Sequence, residues 1–225
     1  MRLSSMTLLS FLVMFQYANA AGNTVYVDQI GSGSTISMTQ TGNSNAIGNP
    51  TDKAIINGQN NIVTIDQIGN NNLTALNVQG DGVNVNSLVT GDNNTVGIAC
   101  GTSGSCSGSI INNTITGDGN VVNQSADGLT ISNVTINTDN NTVKIENDST
   151  AVAGAKSTVL IAGGGGNDVA IKQTGAAGTN GHDADVNILG GTNTVDIKQG
   201  GGFDSKVIST ITGSGNTLTI KSNHN

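Results

Sequence analysis

Cys100 and Cys106, His182 and His224, and fifteen acidic side chains are the groups in this 225-residue chain that could do chemistry. Gly-Thr-Ser-Gly-Ser separates the two cysteines. In an exported protein that spacing reads as a local disulfide. The loop it closes is short, so its effect on global stability is small and the loop lies off any repeated ladder. Two sulfur ligands with no histidine nearby do not make a metal site. Gly163-Gly-Gly-Gly166-Asn167-Asp168 matches one copy of the calcium-binding Gly-Gly-x-Gly-x-Asp nonapeptide. That motif needs tandem copies, and the apolar residue due at Ala170 is missing. His182, read as a loop residue, and His224, at the tail, are far apart. No nucleophile, base and acid assemble around them. Asp183 and Asp185 read as solvated loop charge. No catalytic residue, metal or cofactor is therefore expected.

The residues that do recur are amides. Asn23, Asn45, Asn72, Asn94, Asn120, Asn141, Asn167, Asn193 and Asn216 open the same short phrase, 21 to 27 residues apart. Most are followed by apolar residues at the second and fourth positions, as in Asn141-Thr-Val143-Lys-Ile145. Stacked in a column, such asparagines form an amide ladder, each donating to one neighbour and accepting from the other. Gln29, Gln173 and Gln199 sit six residues after their asparagine, and Gln40 and Gln67 take the same place in a second set of segments. Val89, Ile115, Ile136, Ile188 and Ile211 occupy that position elsewhere, so the glutamine ladders should be partial.

These columns require elements that repeat. The second set of arms starts near Ser34, Asn61, Val83, Ser109, Thr130, Ser157, His182 and Ser205. Both sets alternate apolar and polar residues, the signal of a half-buried strand. Glycines such as Gly42, Gly69, Gly91, Gly117, Gly190 and Gly213 follow where the backbone must turn. No helical period persists after residue 20. A unit of this length cannot bury its apolar face alone and must stack on copies of itself. The expectation is an all-β fold, a β-solenoid of about eight to nine two-strand rungs. Inward Val25, Ile47, Val96, Val122, Val143, Val169, Val195 and Leu218 should form one apolar column. The step from a second arm to the next asparagine is almost always 11 residues, which makes one edge a constant arc. The other edge collects the insertions, among them Pro50, the Cys100–Cys106 loop and the Gly175–Gly181 stretch.

Residues 1–20 read as a secretory signal peptide. Arg2 is the positive start, Leu8 to Phe15 is mostly apolar, and Ala18-Asn19-Ala20 is a small-x-small cleavage site. The apolar run is too short to span a bilayer, and residues 21–225 read as a single solenoid domain. Beyond residue 20 the chain keeps seven lysines and no arginine against its fifteen acids. That balance argues against nucleic acid and against an anionic membrane surface. Only Tyr26 and Phe203 are aromatic there, so Val, Ile and Leu must build the core in thin layers.

The first rung carries a family signal. Gln29-Ile-Gly31-Ser-Gly33 is followed by Gln40, and Asn45 opens the next unit. Asn61, Gln67, Gly69 and Asn72 repeat much of this, with looser echoes at Gln173-Thr-Gly175 and Gln199-Gly200. The pattern over about residues 23–80 resembles the curlin repeat of bacterial curli fibre subunits. The resemblance implies a secreted subunit that stacks end to end into extracellular amyloid fibres on the bacterial surface, for adhesion and biofilm matrix. It implies other copies of the chain, related curlin subunits and an outer-membrane secretion machinery as partners, with no membrane insertion. A major subunit and a minor, nucleator-like one fit equally.

The rival expectation is a monomeric ice-binding or carbohydrate-binding solenoid. Thr24, Thr95, Thr142, Thr194 and Thr217 follow their asparagines and face outward, although Ala46, Val121 and Asp168 interrupt the column. A polysaccharide lyase on a β-helix would need clustered Arg, Lys and acids that the chain does not offer.

Overall fold

The computed structural model describes residues 13–15, 21–101, 105–149, 154–175 and 179–224. It is an all-β parallel solenoid of about eight turns. The asparagine arms stack into a nine-stranded sheet: Thr24–Val25, Ala46–Ile47, Leu73–Thr74, Thr95–Gly97, Val121–Ala126, Thr142–Ser149, Asp168–Gly175, Thr194–Gly201 and Thr217–His224. The second arms form the opposing sheet: Val13–Phe15, Thr35–Thr41, Ile62–Ile68, Asn84–Thr90, Ile110–Thr116, Thr130–Ile136, Ala155–Ala162, His182–Leu189 and Ser205–Thr212. Val27–Ile30, Ala54–Asn57 and Asn77–Gln79 make a small third sheet, where the first three asparagine arms bend before their glutamine end. Parallel strands need long crossovers. Here the crossover from each strand to its neighbour is the other arm of the rung.

Register follows from the alternation, because slipping one residue would turn every apolar side chain outward. Val25, Ile47, Thr74, Val96, Val122, Val143, Val169, Val195 and Leu218 are successive partners in one column. Thr74 belongs to that column although it is polar. It is fully buried, and its hydroxyl accepts a hydrogen bond from Gln67 Nε2 at 3.0 Å. The largest fully buried side chains are all isoleucines, such as Ile65, Ile115, Ile145, Ile171 and Ile197. β-branched residues suit a narrow pleated core with almost no aromatic volume to fill.

The constant arc has a fixed backbone recipe. The residue before each ladder asparagine is left-handed in all nine arms: Gly22, Ser44, Asn71, Asn93, Gly119, Asn140, Gly166, Thr192 and Gly215. Glycine and asparagine tolerate that conformation, while a β-branched residue such as Thr192, at φ 57°, is strained there. A second glycine column, including Gly42, Gly69, Gly91, Gly190 and Gly213, has φ between 97° and 150°. A Cβ at Gly91 would overlap the carbonyl of Gly117 on the next rung.

Several expectations need correcting. The sixth second arm begins at Ala155, not Ser157. Ala155 stands between Thr130 and His182, and Ser157 lies inside the strand between Ser132 and Ala184. A small apolar residue does the work of the usual polar starter, which hid the true register. His182 is not in a loop; it opens a strand with its ring buried. Asp183 and Asp185 also lie on that strand. Val13–Phe15, inside the segment read as a leader, pairs in parallel with Ile36–Met38. Arg2, Leu8 and Ala18–Ala20 lie outside the described residues, as do 102–104 of the cysteine loop and 176–178 of the Gly175–Gly181 stretch.

Candidate functional site

The nine asparagines form one uninterrupted column. At each of the eight steps the later asparagine's backbone N–H donates to the earlier one's Oδ1, at 2.9–3.0 Å. From Asn72 onward the later Nδ2 donates to the same Oδ1, at 2.9–3.1 Å. Asn45 Nδ2 instead donates to the carbonyls of Thr41 and Gly69, at 3.2 and 2.8 Å. The arc glycines complete the pattern: Asn72, Asn94 and Asn193 reach the carbonyls of Gly91, Gly117 and Gly213 at 2.7, 2.8 and 3.0 Å. Each asparagine thus ties two strands and one turn together. Asn45 through Asn193 are buried, where an unpaired amide would be costly.

The glutamines meet in two pairs. Gln40 Nε2 donates to Gln67 Oε1 at 2.9 Å, and Gln173 Nε2 to Gln199 Oε1 at 2.8 Å. Both pairs are closed by backbone carbonyls, Gln67 on Ala46 and Gln199 on Asp183 and Ser205. Gln29 is not brought to another glutamine; its register partner is Ile56.

A further ladder on the arc was not anticipated. The backbone N–H groups of Asn43, Asn70, Asp92 and Asp118 donate to the side-chain oxygens of Asn70, Asp92, Asp118 and Asp139, at 2.7–3.0 Å. The signal was available: an Asn or Asp follows the arc glycine in each of Gly42-Asn43, Gly69-Asn70, Gly91-Asp92 and Gly117-Asp118.

The two cysteines and His182 are held inside the fold. Cys100 and Cys106 form a disulfide with Cα atoms 5.6 Å apart, and both are fully buried members of the core. His182 Nε2 donates to the Thr174 carbonyl at 3.2 Å, and Nδ1 shares a hydrogen bond with the Ser205 hydroxyl at 2.8 Å. His224 lies in the Thr217–His224 strand. In the Gly163–Asp168 arc, Asn167 Nδ2 takes the Gly164 carbonyl at 2.8 Å. Among the described residues no three His, Cys, Asp or Glu side chains are placed to hold a metal ion.

The two outer faces differ. On the asparagine-arm sheet Glu146 is shared by Lys144 and, from the next strand, Lys172 at 3.1 Å, while Lys198 meets Asp196 at 3.0 Å. The Lys144 hydrogen bond first, and that of Lys172 second, hold the Glu146 carboxyl below its ordinary value. The outward threonine column reads Thr24, Ala46, Leu73, Thr95, Val121, Thr142, Asp168, Thr194 and Thr217. The opposing sheet carries an uncharged polar stretch. Asn84–Thr90, Ile110–Thr116 and Thr130–Ile136 turn Asn86, Asn112, Asn133, Thr114 and Thr135 outward with no charged residue among the three strands.

Among the described residues the core is less covered at its two ends. Val25 and Val27 at one end, and Leu218 and Ile220 at the other, are only partly buried, whereas their column partners Ile47 and Val195 are fully so. Comparison with protein-family models, with curated proteins and with solved structures finds no match to this chain.

Proposed function

We propose that the chain is a secreted structural subunit that stacks end to end into extracellular, curli-like amyloid fibres of adhesive or matrix type. The partly buried end residues carry this reading. Val25 and Leu218 are the two ends of one apolar column, and Val27 and Ile220 are the next inward residues of the same two arms. One end is therefore the continuation of the other, and a contact between them repeats without closing, which makes a filament. Exposed strand edges of this kind take up further strands unless covered or charged. The Val13–Phe15 strand, seated in parallel on Thr35–Thr41, illustrates how that edge accepts one. The curlin-like spacing of Gln29, Gly31, Gly33, Gln40 and Asn45 supports the same subunit class.

The test is purified protein held at high concentration for days, with and without seeds. Thioflavin-positive fibres with a reflection near 4.8 Å are expected, and Val25→Lys combined with Leu218→Lys should keep the chain monomeric. Unmodified protein that stays monomeric even with seeds defeats the proposal. One observation favours a second reading, a surface-binding solenoid: the uncharged Thr and Asn columns at Asn86–Asn112–Asn133 and Thr114–Thr135, with Asn112 Nδ2 donating to Asn133 Oδ1 at 2.9 Å. Lasting monomers that shape ice or retain on an insoluble polysaccharide would carry that reading instead.

A further inference from the structure

The end-to-end contact of the proposed fibre has one register, and it is polar. This inference rests on the fibre reading. Three independent features of the end strands converge on it.

The first is the asparagine ladder. Each later backbone N–H donates to the preceding Oδ1, so the ladder has a direction. At its last member, Asn216, Oδ1 receives no donor among the described residues, although Asn216 itself donates to Asn193 at 2.9 and 3.0 Å. At its first member, Asn23, Oδ1 is used by Asn45 at 2.9 Å while its own N–H and Nδ2 donate to no described residue. An open acceptor at one end fits the open donors at the other. Two first ends, or two last ends, would bring donor to donor or acceptor to acceptor.

The second is the core. Setting Asn23 of one copy on Asn216 of another places Val25 on Leu218 and Val27 on Ile220, the four partly exposed core residues. It also brings Gln29, which has no glutamine partner among the described residues, to Ser222.

The third is charge. Lys172, Lys198 and Lys221 are successive register partners, three ammonium groups stacked on one face. Glu146 relieves Lys172 on its far side and Asp196 relieves Lys198. Lys221 ends the column with no carboxylate partner among the described residues. The same register sets it opposite Asp28 of the next copy. Asp28 is exposed, and among the described residues its ion-pair partner is Lys53, from the next rung of its own chain, at 3.0 Å. A carboxylate held between lysines of two strands already exists in this chain at Glu146, whose register partner is Lys172.

We infer that copies join by pairing Thr217–His224 of one with Thr24–Val25 and Val27–Ile30 of the next, with Lys221 bridging to the Asp28 of that second copy. A one-residue slip would set Lys221 against an inward position and push the apolar columns out of line. A two-residue slip keeps the faces but leaves Asn216 and Asn23 unpaired.

Carbodiimide coupling tests the register directly. It condenses a carboxylate and an adjacent ammonium into an amide with loss of water. Full-length chain is treated as monomer and as fibre, digested, and mapped by mass spectrometry. Asp28–Lys53 linkage is expected in both samples and serves as the internal control. Asp28–Lys221 linkage is expected in the fibre only. Charge reversal supplies the second arm. Lys221→Glu and Asp28→Lys should each slow seeded elongation by at least about tenfold at low salt, as like charges are brought together, and the double reversal should restore it. Both side chains are exposed, so circular dichroism of the monomers should be unchanged. Fibres that link Lys221 to another carboxylate, or three variants that elongate as fast as the unmodified chain, would overturn the register while leaving polymerisation intact. Failure of the unmodified chain to form fibres would instead remove the fibre reading, and this one with it.

Discussion

Asn94→Ala is the substitution that most directly measures what the ladder holds. Asn94 is fully buried. Its Nδ2 donates to Asn72 Oδ1 at 3.1 Å and to the Gly117 carbonyl at 2.8 Å. Its Oδ1 accepts the Asn120 backbone N–H at 2.9 Å and Asn120 Nδ2 at 3.1 Å. Truncation removes all four bonds. Asn72 Oδ1 keeps the Asn94 backbone N–H, but both Asn120 donors are left buried without an acceptor. Each orphaned donor costs about 1–3 kcal/mol, so the loss should be about 2–6 kcal/mol. That is a large part of the roughly 5–15 kcal/mol that a whole domain holds. Asn216→Ala is the control, because it deletes only a partly exposed bond to Asn193 and a long, exposed one to the Thr212 carbonyl, and should cost below about 1 kcal/mol. Asn94→Asp gives a second signature. It keeps Oδ1 but sets a carboxylate oxygen against Asn72 Oδ1 and the Gly117 carbonyl, which raises its folded pKa. The penalty is then complete above that raised value and fades as pH falls towards the ordinary carboxyl value. Urea unfolding followed by circular dichroism, in the Val25→Lys and Leu218→Lys background, reads all three. Equal midpoints for Asn94→Ala and Asn216→Ala would refute the idea that the ladder bears the rungs.

Thr192→Gly should stabilise the fold by about 1 kcal/mol in the same assay, because a threonine is held at φ 57° where glycine is unstrained. Gly91→Ala should cost more than the Thr192 gain and raise the unfolded fraction visibly, since its Cβ overlaps the Gly117 carbonyl; an unchanged midpoint would contradict the turn geometry. Glu146 is held below its ordinary value of 4.5 by Lys144 and then Lys172, so its contribution is complete above that value and is lost as pH falls through the lower folded one. Glu146→Gln should flatten that part of the stability–pH curve. Deleting residues 1–20 removes the Val13–Phe15 strand, so hydrogen exchange within Thr35–Thr41 should quicken.

The period and alternation of the chain made the solenoid legible, because a slip in register would expose every inward Val and Ile. The asparagine positions were legible for the same reason. Less legible was anything set by a neighbouring rung rather than by local pattern. Thr74 looks like a break in the apolar column, yet its hydroxyl is satisfied by Gln67 inside the core. Ala155 carries no polar marker, so Ser157 drew the arm start two residues late. His182 and the two cysteines look reactive by type, but all three are buried by the strands beside them. The bend that creates the three-stranded sheet has no periodic signal in the first and third rungs, where the alternation continues through it; only Gly48 and Pro50 mark it, in the second. The arc ladder of Asn43, Asn70, Asp92, Asp118 and Asp139 was written in the sequence but becomes meaningful only when the turns are stacked.

Mass per length of single protofilaments, by scanning transmission electron microscopy, tests end-to-end stacking most directly. The asparagine-arm sheet has nine strands, all beyond residue 20, so one chain should advance the fibre by roughly 43 Å at the strand spacing of about 4.8 Å. End-to-end stacking of intact solenoids therefore predicts one 22.5 kDa chain per roughly 43 Å, or slightly less mass if the leader is removed. One chain per about 4.8 Å would mean extended chains stacked in register, a different polymer, and would contradict it.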